Sequence, residues 1–193
     1  MNGNDTARHW IYGILITLLI GSSYCVFSNF LIRIAGIPDV SLVGNDPVSL
    51  MERDSLTMMI LLEVLIAPVI EELLFRKLFY GNLRMRMGWV PAALIVSAVF
   101  AILHLNIAQA VYAFVFSLIL CEIAERTANW YLCVSAHVSA NVCAILSAQL
   151  EPWNALLLSR PAVTVILAGA LLLAGLLLLV LFERRITAFQ KHW

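Results

Sequence analysis

The sequence predicts an all-α protein, a polytopic bundle of about six transmembrane helices with its functional groups in the bundle core. Two observations carry that prediction. Of the 193 residues, 62% are apolar and only 12% charged, against roughly 45–50% and about 25% in ordinary soluble domains, and the mean hydropathy is +0.93. The apolar residues also gather into runs of the ~20 residues that a helix needs to cross a hydrocarbon core. So few charges cannot cover a water-facing surface, which excludes a soluble globular domain, a disordered tail and a fibrous protein. The size fits one membrane-embedded domain over residues 1–193, with the lipid bilayer as its solvent. Twelve Lys and Arg balance twelve Asp and Glu, so nothing in the charge argues for a nucleic-acid partner.

The elements follow in order. Trp10 to Leu31 runs without a charge; it is too long for a signal-peptide core and no A-x-A cleavage pattern follows, so it is expected to be a mature first span. Residues 36–55, with Gly36, Pro38, Gly44, Asn45, Asp46 and Pro47, form the one sizeable loop. Thr57 to about Tyr80 is a helix with charges inside it, and Trp89 to about His104 is the next span. Pro91 falls in the first turn of that span, where proline is tolerated. Ile107 to Ala124 and Trp130 to Leu150 follow, and the break near Leu105-Asn106 is marked so weakly that a bent continuous helix is the alternative there. Val163 to Phe182 closes the set, charge-free and leucine-rich.

Lys and Arg placement orients the bundle. With six spans and the N-terminus inside, the cytoplasmic side collects Arg8, Arg76, Lys77, Arg84, Arg86, Arg126, Arg184, Arg185 and Lys191, and the opposite side only Arg33, Arg53 and Arg160. Both termini are therefore expected on the cytoplasmic side of a bacterial cytoplasmic membrane. The four cysteines, Cys25, Cys121, Cys133 and Cys143, sit in apolar stretches without C-x-x-C spacing. They read as packing residues, with no metal or disulfide framework expected.

Ionisable groups inside spans cost about 2.5–3.5 kcal/mol each on insertion scales and tend to face a cavity or a partner. This chain places Glu63, Glu71, Glu72 and Arg76 in one span, His104 in another and His137 in a third, with Asn141 one turn after His137. Glu72 and Arg76 stand at i,i+4 on one helix face. Such a pair neutralises itself and leaves Glu71 as the carboxylate without a local partner. Adjacent carboxylates repel, so one is pushed towards neutrality unless a cation holds the other ionised, a division of labour that suits a general base beside a structural acid. The bland alternative is a helix end with solvated charges; for His104 or His137 alone, a packed, hydrogen-bonded histidine is the commoner case. Three spans that each bring a proton-handling group tip the balance, because a bundle core is where facing helices converge such groups. Measured at 1.5 Å per residue, Glu71 and His137 come out at similar depths and His104 deeper, which asks for a tilted or indented helix or a shifted boundary.

Competing chemistries are absent. The chain contains no H-E-x-x-H, no G-x-S-x-G and no Asp within a predicted span. A thiol nucleophile has no activating neighbour beyond His137, one turn from Cys133.

The three patterns Glu71-Glu72-x-x-x-Arg76, Phe100-x-x-x-His104 and His137-x-x-x-Asn141, in this order and on separate spans, resemble the three motifs of the CAAX-protease and bacteriocin-processing (CPBP, or Abi) family of intramembrane endopeptidases. The segment Arg126 to Trp130 resembles the lead-in to its third motif. The resemblance covers about residues 57–150. It implies a protease whose Glu71 activates a water shared with His104, whose His137 and Asn141 polarise the scissile carbonyl, and whose Glu72 and Arg76 hold the base helix in place. The residue chemistry agrees, since a buried carboxylate is a competent base and imidazole and carboxamide groups are suitable donors to an oxyanion. No cofactor is required by that scheme. Glu71, His104 and His137 are also a plausible zinc or other divalent-metal set with an open position for water, and the residues leave the choice open, with Asn141 favouring the metal-free form.

The chain is short beside the prenyl-protein-processing enzymes of that family and lacks their extra N-terminal spans. The expected partner is therefore a membrane-embedded peptide or protein substrate such as a bacteriocin or the anchored C-terminus of a surface protein. A proton- or cation-coupled transporter and a non-catalytic bacteriocin-immunity protein on the same scaffold are the alternatives, and the oligomeric state is open.

Overall fold

The computed structural model describes residues 3–37, 58 and 60–183. The loop expected at 36–55 lies outside the described residues from position 38 onward, as does the basic run after Glu183. Among the described residues the protein is helical throughout, without a β-strand: α1 (Gly3–Ala35), a helical run α2 over 60–87, α3 (Trp89–Ile102), α4 (Ile107–Thr127), α5 (Trp130–Gln149), a short α6 (Glu151–Ser159) and α7 (Pro161–Glu183). Four stretches are long and apolar enough to cross a membrane, Trp10–Ala35, Ile107–Thr127, Trp130–Ser147 and Pro161–Phe182, and Trp89–Ile102 is a shorter apolar helix. The protein is thus a multi-pass, all-α integral membrane protein.

The α2 run is not a regular α-helix. It is π-helical over Ile60–Ile66, α-helical over Ala67–Glu72, π-helical again over Leu73–Tyr80 and α-helical over Gly81–Met87. Pro68 accounts for the first widening: it donates no N–H to the carbonyl of residue 64 and its ring crowds that carbonyl, so the preceding turn opens. No residue in Leu73–Tyr80 explains the second. π-turns are rare and gather at functional sites, and here they flank Glu71 and Glu72 on both sides.

The break between α3 and α4 is a true chain reversal, and the bent continuous helix is not formed. Leu103 and His104 make a tight turn, Leu105 takes φ of 55°, and the Asn106 Oδ1 caps α4 by accepting the Gln109 N–H at 3.0 Å. A leucine in the left-handed region is uncommon. Helix α3, at 14 residues, rises about 21 Å at 1.5 Å per residue, short of the ~30 Å hydrocarbon core. At the other end of α4, Ala128 (φ 49°) makes the turn and the Asn129 side chain caps α5 by accepting the Tyr131 N–H.

The chain divides into two compact units, one of residues 1–30 with 123–193 and the other of residues 31–122. In the first, α1 packs against α5 and α7, and glycines set the spacing. A Cβ on Gly13 would meet Leu132 and Phe182, one on Gly21 would overlap the Ala136 carbonyl and the Ser139 hydroxyl, one on Gly175 would crowd Ile20 and one on Gly169 would touch Phe27. The Thr17 and Ser135 hydroxyls are hydrogen-bonded to each other. Pairs 13/132, 17/135 and 21/139 advance together, so α1 and α5 run parallel; pairs 13/182, 20/175 and 27/169 run oppositely, so α7 is antiparallel to α1. In the second unit, Phe75 meets Phe100, almost symmetrically about Gly88 (φ 85°), and Arg76 reaches Ser117. Helices α2, α3 and α4 therefore run alternately up and down.

Two tests follow from this packing. Parallel α1 and α5 require an odd number of membrane crossings between them, so α2 and α3 cross together or not at all. The alternating unit and the Lys/Arg bias both favour crossing. A cysteine placed at Met87, in a chain whose native cysteines are replaced, is expected to react with an impermeant maleimide from the same side as the N-terminus; labelling from the opposite side would mean that neither α2 nor α3 crosses. In the other unit, Gly21→Val is expected to lower stability by about 1–3 kcal/mol, as overpacking does, because the obstacle is backbone. Gly169→Ala should cost far less, because the Phe27 ring can move. Thermal unfolding in detergent measures both.

Candidate active site

Glu72 and Arg76 are the charges that the α2 helix buries completely, each with 0% exposure. One α-helical turn apart in sequence, they form an ion pair, Arg76 Nε to Glu72 Oε2 at 3.1 Å. The guanidinium is then fastened from α4: Nη2 donates to the Ser117 hydroxyl at 2.9 Å and more weakly to the Ser117 carbonyl at 3.4 Å. Its Cζ lies over the Phe100 ring of α3, 4.8 Å from the centroid, a cation–π contact that gains from the complete burial of the arginine. Nη1 has no hydrogen-bond acceptor among the described residues. One arginine thus joins three helices.

Phe100 carries the contact onward. Its ring meets Phe75 edge-on, centroids 5.1 Å apart, and the His104 imidazole at 4.8 Å. The Phe100 carbonyl faces His104 Nδ1 at 2.8 Å. A carbonyl only accepts, so Nδ1 carries a proton, and the neutral form of the ring has its lone pair at Nε2. Because α3 ends before His104 and the chain turns there, that imidazole is held at the level of Phe100 and Arg76.

Glu71 lies in the α-helical stretch Ala67–Glu72, about 100° round the helix from Glu72. It is half-buried and is not the carboxylate that pairs with Arg76. Glu63 is half-buried on the first π-helical stretch. His137 and Asn141 belong to α5, in the other unit. Regular α-helix over Trp130–Gln149 keeps them on one face, about 160° round from Ser139 and so turned away from the seam with α1. His137 is buried at 6% exposure and Asn141 is half-buried.

The structure therefore brings Glu72, Arg76, Phe100 and His104 into one connected group, with Glu71 on the adjoining face, and presents His137 and Asn141 side by side on α5. Ser117 is the member that sequence reasoning missed. A serine in an apolar span ordinarily bonds back to its own helix, and nothing local distinguishes one that reaches an arginine. Glu71, His104 and His137 are the residues that would supply a divalent metal with ligands, and the His104 tautomer, with Nε2 bare and Nδ1 held by a carbonyl, suits a ligand as well as a hydrogen-bond acceptor. Among the described residues, however, no three His, Cys, Asp or Glu side chains are grouped to hold a metal ion.

Comparison with known proteins agrees with the motif resemblance. Residues 53–143 match the family described as type II CAAX prenyl endopeptidase Rce1-like. A stretch of 95 residues, 49% of this chain, is 27% identical to the Bacillus subtilis protein named "Putative membrane peptidase YdiL" and covers 38% of that protein's length. No solved structure matches this chain. The family match spans Glu71, Glu72, Phe100, His104, His137 and Asn141, and both descriptions name peptidases.

The ion pair makes a prediction about stability. Arg76→Met leaves a buried carboxylate without its cation and is expected to destabilise by about 3–5 kcal/mol, whereas Glu72→Gln with Arg76→Met together should recover most of that loss. Ser117→Ala removes a hydrogen bond to a charged group and should cost about 1.5–3 kcal/mol. Urea or thermal unfolding of the purified protein measures all three.

Proposed function

We propose that this chain, Rce1-like over residues 53–143, is an intramembrane endopeptidase that hydrolyses a peptide bond of a membrane-associated protein or peptide. The observation that carries the proposal is the division between the two adjacent carboxylates. Glu72 is committed to Arg76, and Glu71 stands one residue away on another face, where a carboxylate in a low-dielectric setting serves as a base.

In the proposed reaction Glu71 takes a proton from a water whose position is shared with His104, and Nε2 of His104 accepts the water's other hydrogen. The oxygen attacks the scissile carbonyl carbon. The carbonyl π bond opens, and the charge that develops on its oxygen is met by an N–H of His137 and the Asn141 carboxamide, donors of the kind that stabilise an oxyanion. Collapse expels the amine, which takes the proton from Glu71. Glu72, Arg76, Phe100 and Ser117 act by holding the helix that bears the base against the one that bears His104. Every step uses side chains of this chain alone. The substrate reaches these groups from the lipid, and the protein sits in a cytoplasmic membrane with both termini inside.

The test is cleavage of a membrane-anchored substrate by purified protein in liposomes. Glu71→Gln should lower the rate by about 10²–10⁴, the range for a general base, and His137→Ala or Asn141→Ala by about 10²–10³ each, as for lost oxyanion donors. Glu63→Gln should cleave within a few-fold of the parent. Equal rates for Glu71→Gln and the parent would overturn the assignment. A strong chelator in the same assay should leave the rate unchanged; loss of activity restored by zinc would replace the metal-free scheme with a metal-assisted one.

A further inference from the structure

The seam between α1 and α5 carries a second chemically capable pair. It advances in steps of about one turn along two parallel helices: Gly13 with Leu132, the Thr17 hydroxyl on the Ser135 hydroxyl, and Gly21 against Ala136 and Ser139. The next step of the same register brings the Cys25 and Cys143 side chains together. Both are free thiols, buried at 7% exposure each. Neighbours fix their orientation: the Asn29 amide donates to Cys25 Sγ at 3.4 Å, and Ser147 hydrogen-bonds Cys143. The close approach at Gly21 holds the two backbones together one turn away. Cys121 and Cys133 are buried as well.

We propose that Cys25 and Cys143 form a dithiol that oxidises to an intramolecular disulfide by exchange with a small-molecule disulfide. One thiolate attacks a sulfur of the oxidant, whose S–S bond breaks and releases one thiol. The second thiolate then attacks the mixed disulfide and releases the other. One S–S bond forms, two S–H bonds are lost, and the two electrons and two protons leave on the two released thiols. Cys25 lies in the last third of α1 and Cys143 in the last third of α5, so the pair sits towards the membrane face opposite the N-terminus. On the orientation proposed above, that is the oxidising side of a cytoplasmic membrane. The bridge would fasten α1 to the helix that bears His137 and Asn141, on the face turned away from them. This inference stands apart from the proposed peptidase activity.

The experiment uses the full chain in detergent, with oxidised glutathione as the probe. The protein is denatured after treatment and its thiols are counted with a maleimide–polyethylene glycol. Reduced protein should take four adducts and oxidised protein two. Cys25→Ser and Cys143→Ser should each take three before and after oxidation, and Cys121→Ser with Cys133→Ser should fall from two adducts to none. Should a seam variant fail to fold, tryptic mapping of oxidised Cys133→Ser protein serves instead: the peptide of residues 9–33 should be joined to the one that begins at Thr127. Four adducts after oxidation, or a loss of two thiols that persists in Cys25→Ser, would overturn the proposal.

Discussion

A lone arginine guanidinium in hydrocarbon must find its hydrogen bonds and its counter-charge from the protein, because lipid supplies neither. Arg76 meets that requirement with Glu72 on its own helix, Ser117 on α4 and the ring of Phe100 on α3, and the second unit is organised by the result. Desolvating each ion costs several kcal/mol, and an apolar pair of the same volume would often be neutral or more stable. Stability is therefore a poor reason for the pair to exist. Its value is geometric: a bidirectional charge contact and a ring contact allow one arrangement of α2, α3 and α4, where leucines would allow several. Phe100 then connects that arrangement to His104 through its ring, and its carbonyl faces the Nδ1 of the imidazole.

The first unit solves a different problem. Apolar area drives little association between helices already in lipid, so close packing has to do it. Small residues at Gly13, Thr17, Gly21 and Cys25 recur every fourth position along α1 and let its backbone approach α5 to the distance at which no Cβ fits. The same approach that makes Gly21 irreplaceable aligns the helices in parallel and so constrains the number of crossings between them. Gly175 and Gly169 perform the reciprocal task on α7 against Ile20 and Phe27.

Much of this was legible in the sequence because lipid makes the pattern coarse. Long apolar runs became α1, α4, α5 and α7, and the i,i+4 spacing of Glu72 and Arg76 became an ion pair, since both facts depend on local periodicity alone. The reversal at Leu105 was legible only as a weakly marked break: it uses neither glycine nor proline, and its signal is an N-cap asparagine beside a leucine at φ 55°. The π-helical stretches around Glu71 and Glu72 were hidden for a similar reason. Pro68 signals a disturbance but not its kind, and the second stretch has no residue that announces it. Ser117 was invisible because its partner lies 41 residues away, and the small-residue register along α1 can be read in the sequence but acquires meaning only when α5 is set beside it.

The adjacent carboxylates connect these threads. Glu72 is fully buried and paired with Arg76, whereas Glu71 is half-buried and lies about 100° round the helix from it. One turn of α2 thus holds one carboxylate in the charge contact that joins three helices and presents the other on a separate face. The pairing of Glu72 with Arg76 fixes the helix in place, and in the proposed reaction it is the adjoining carboxylate that exchanges a proton.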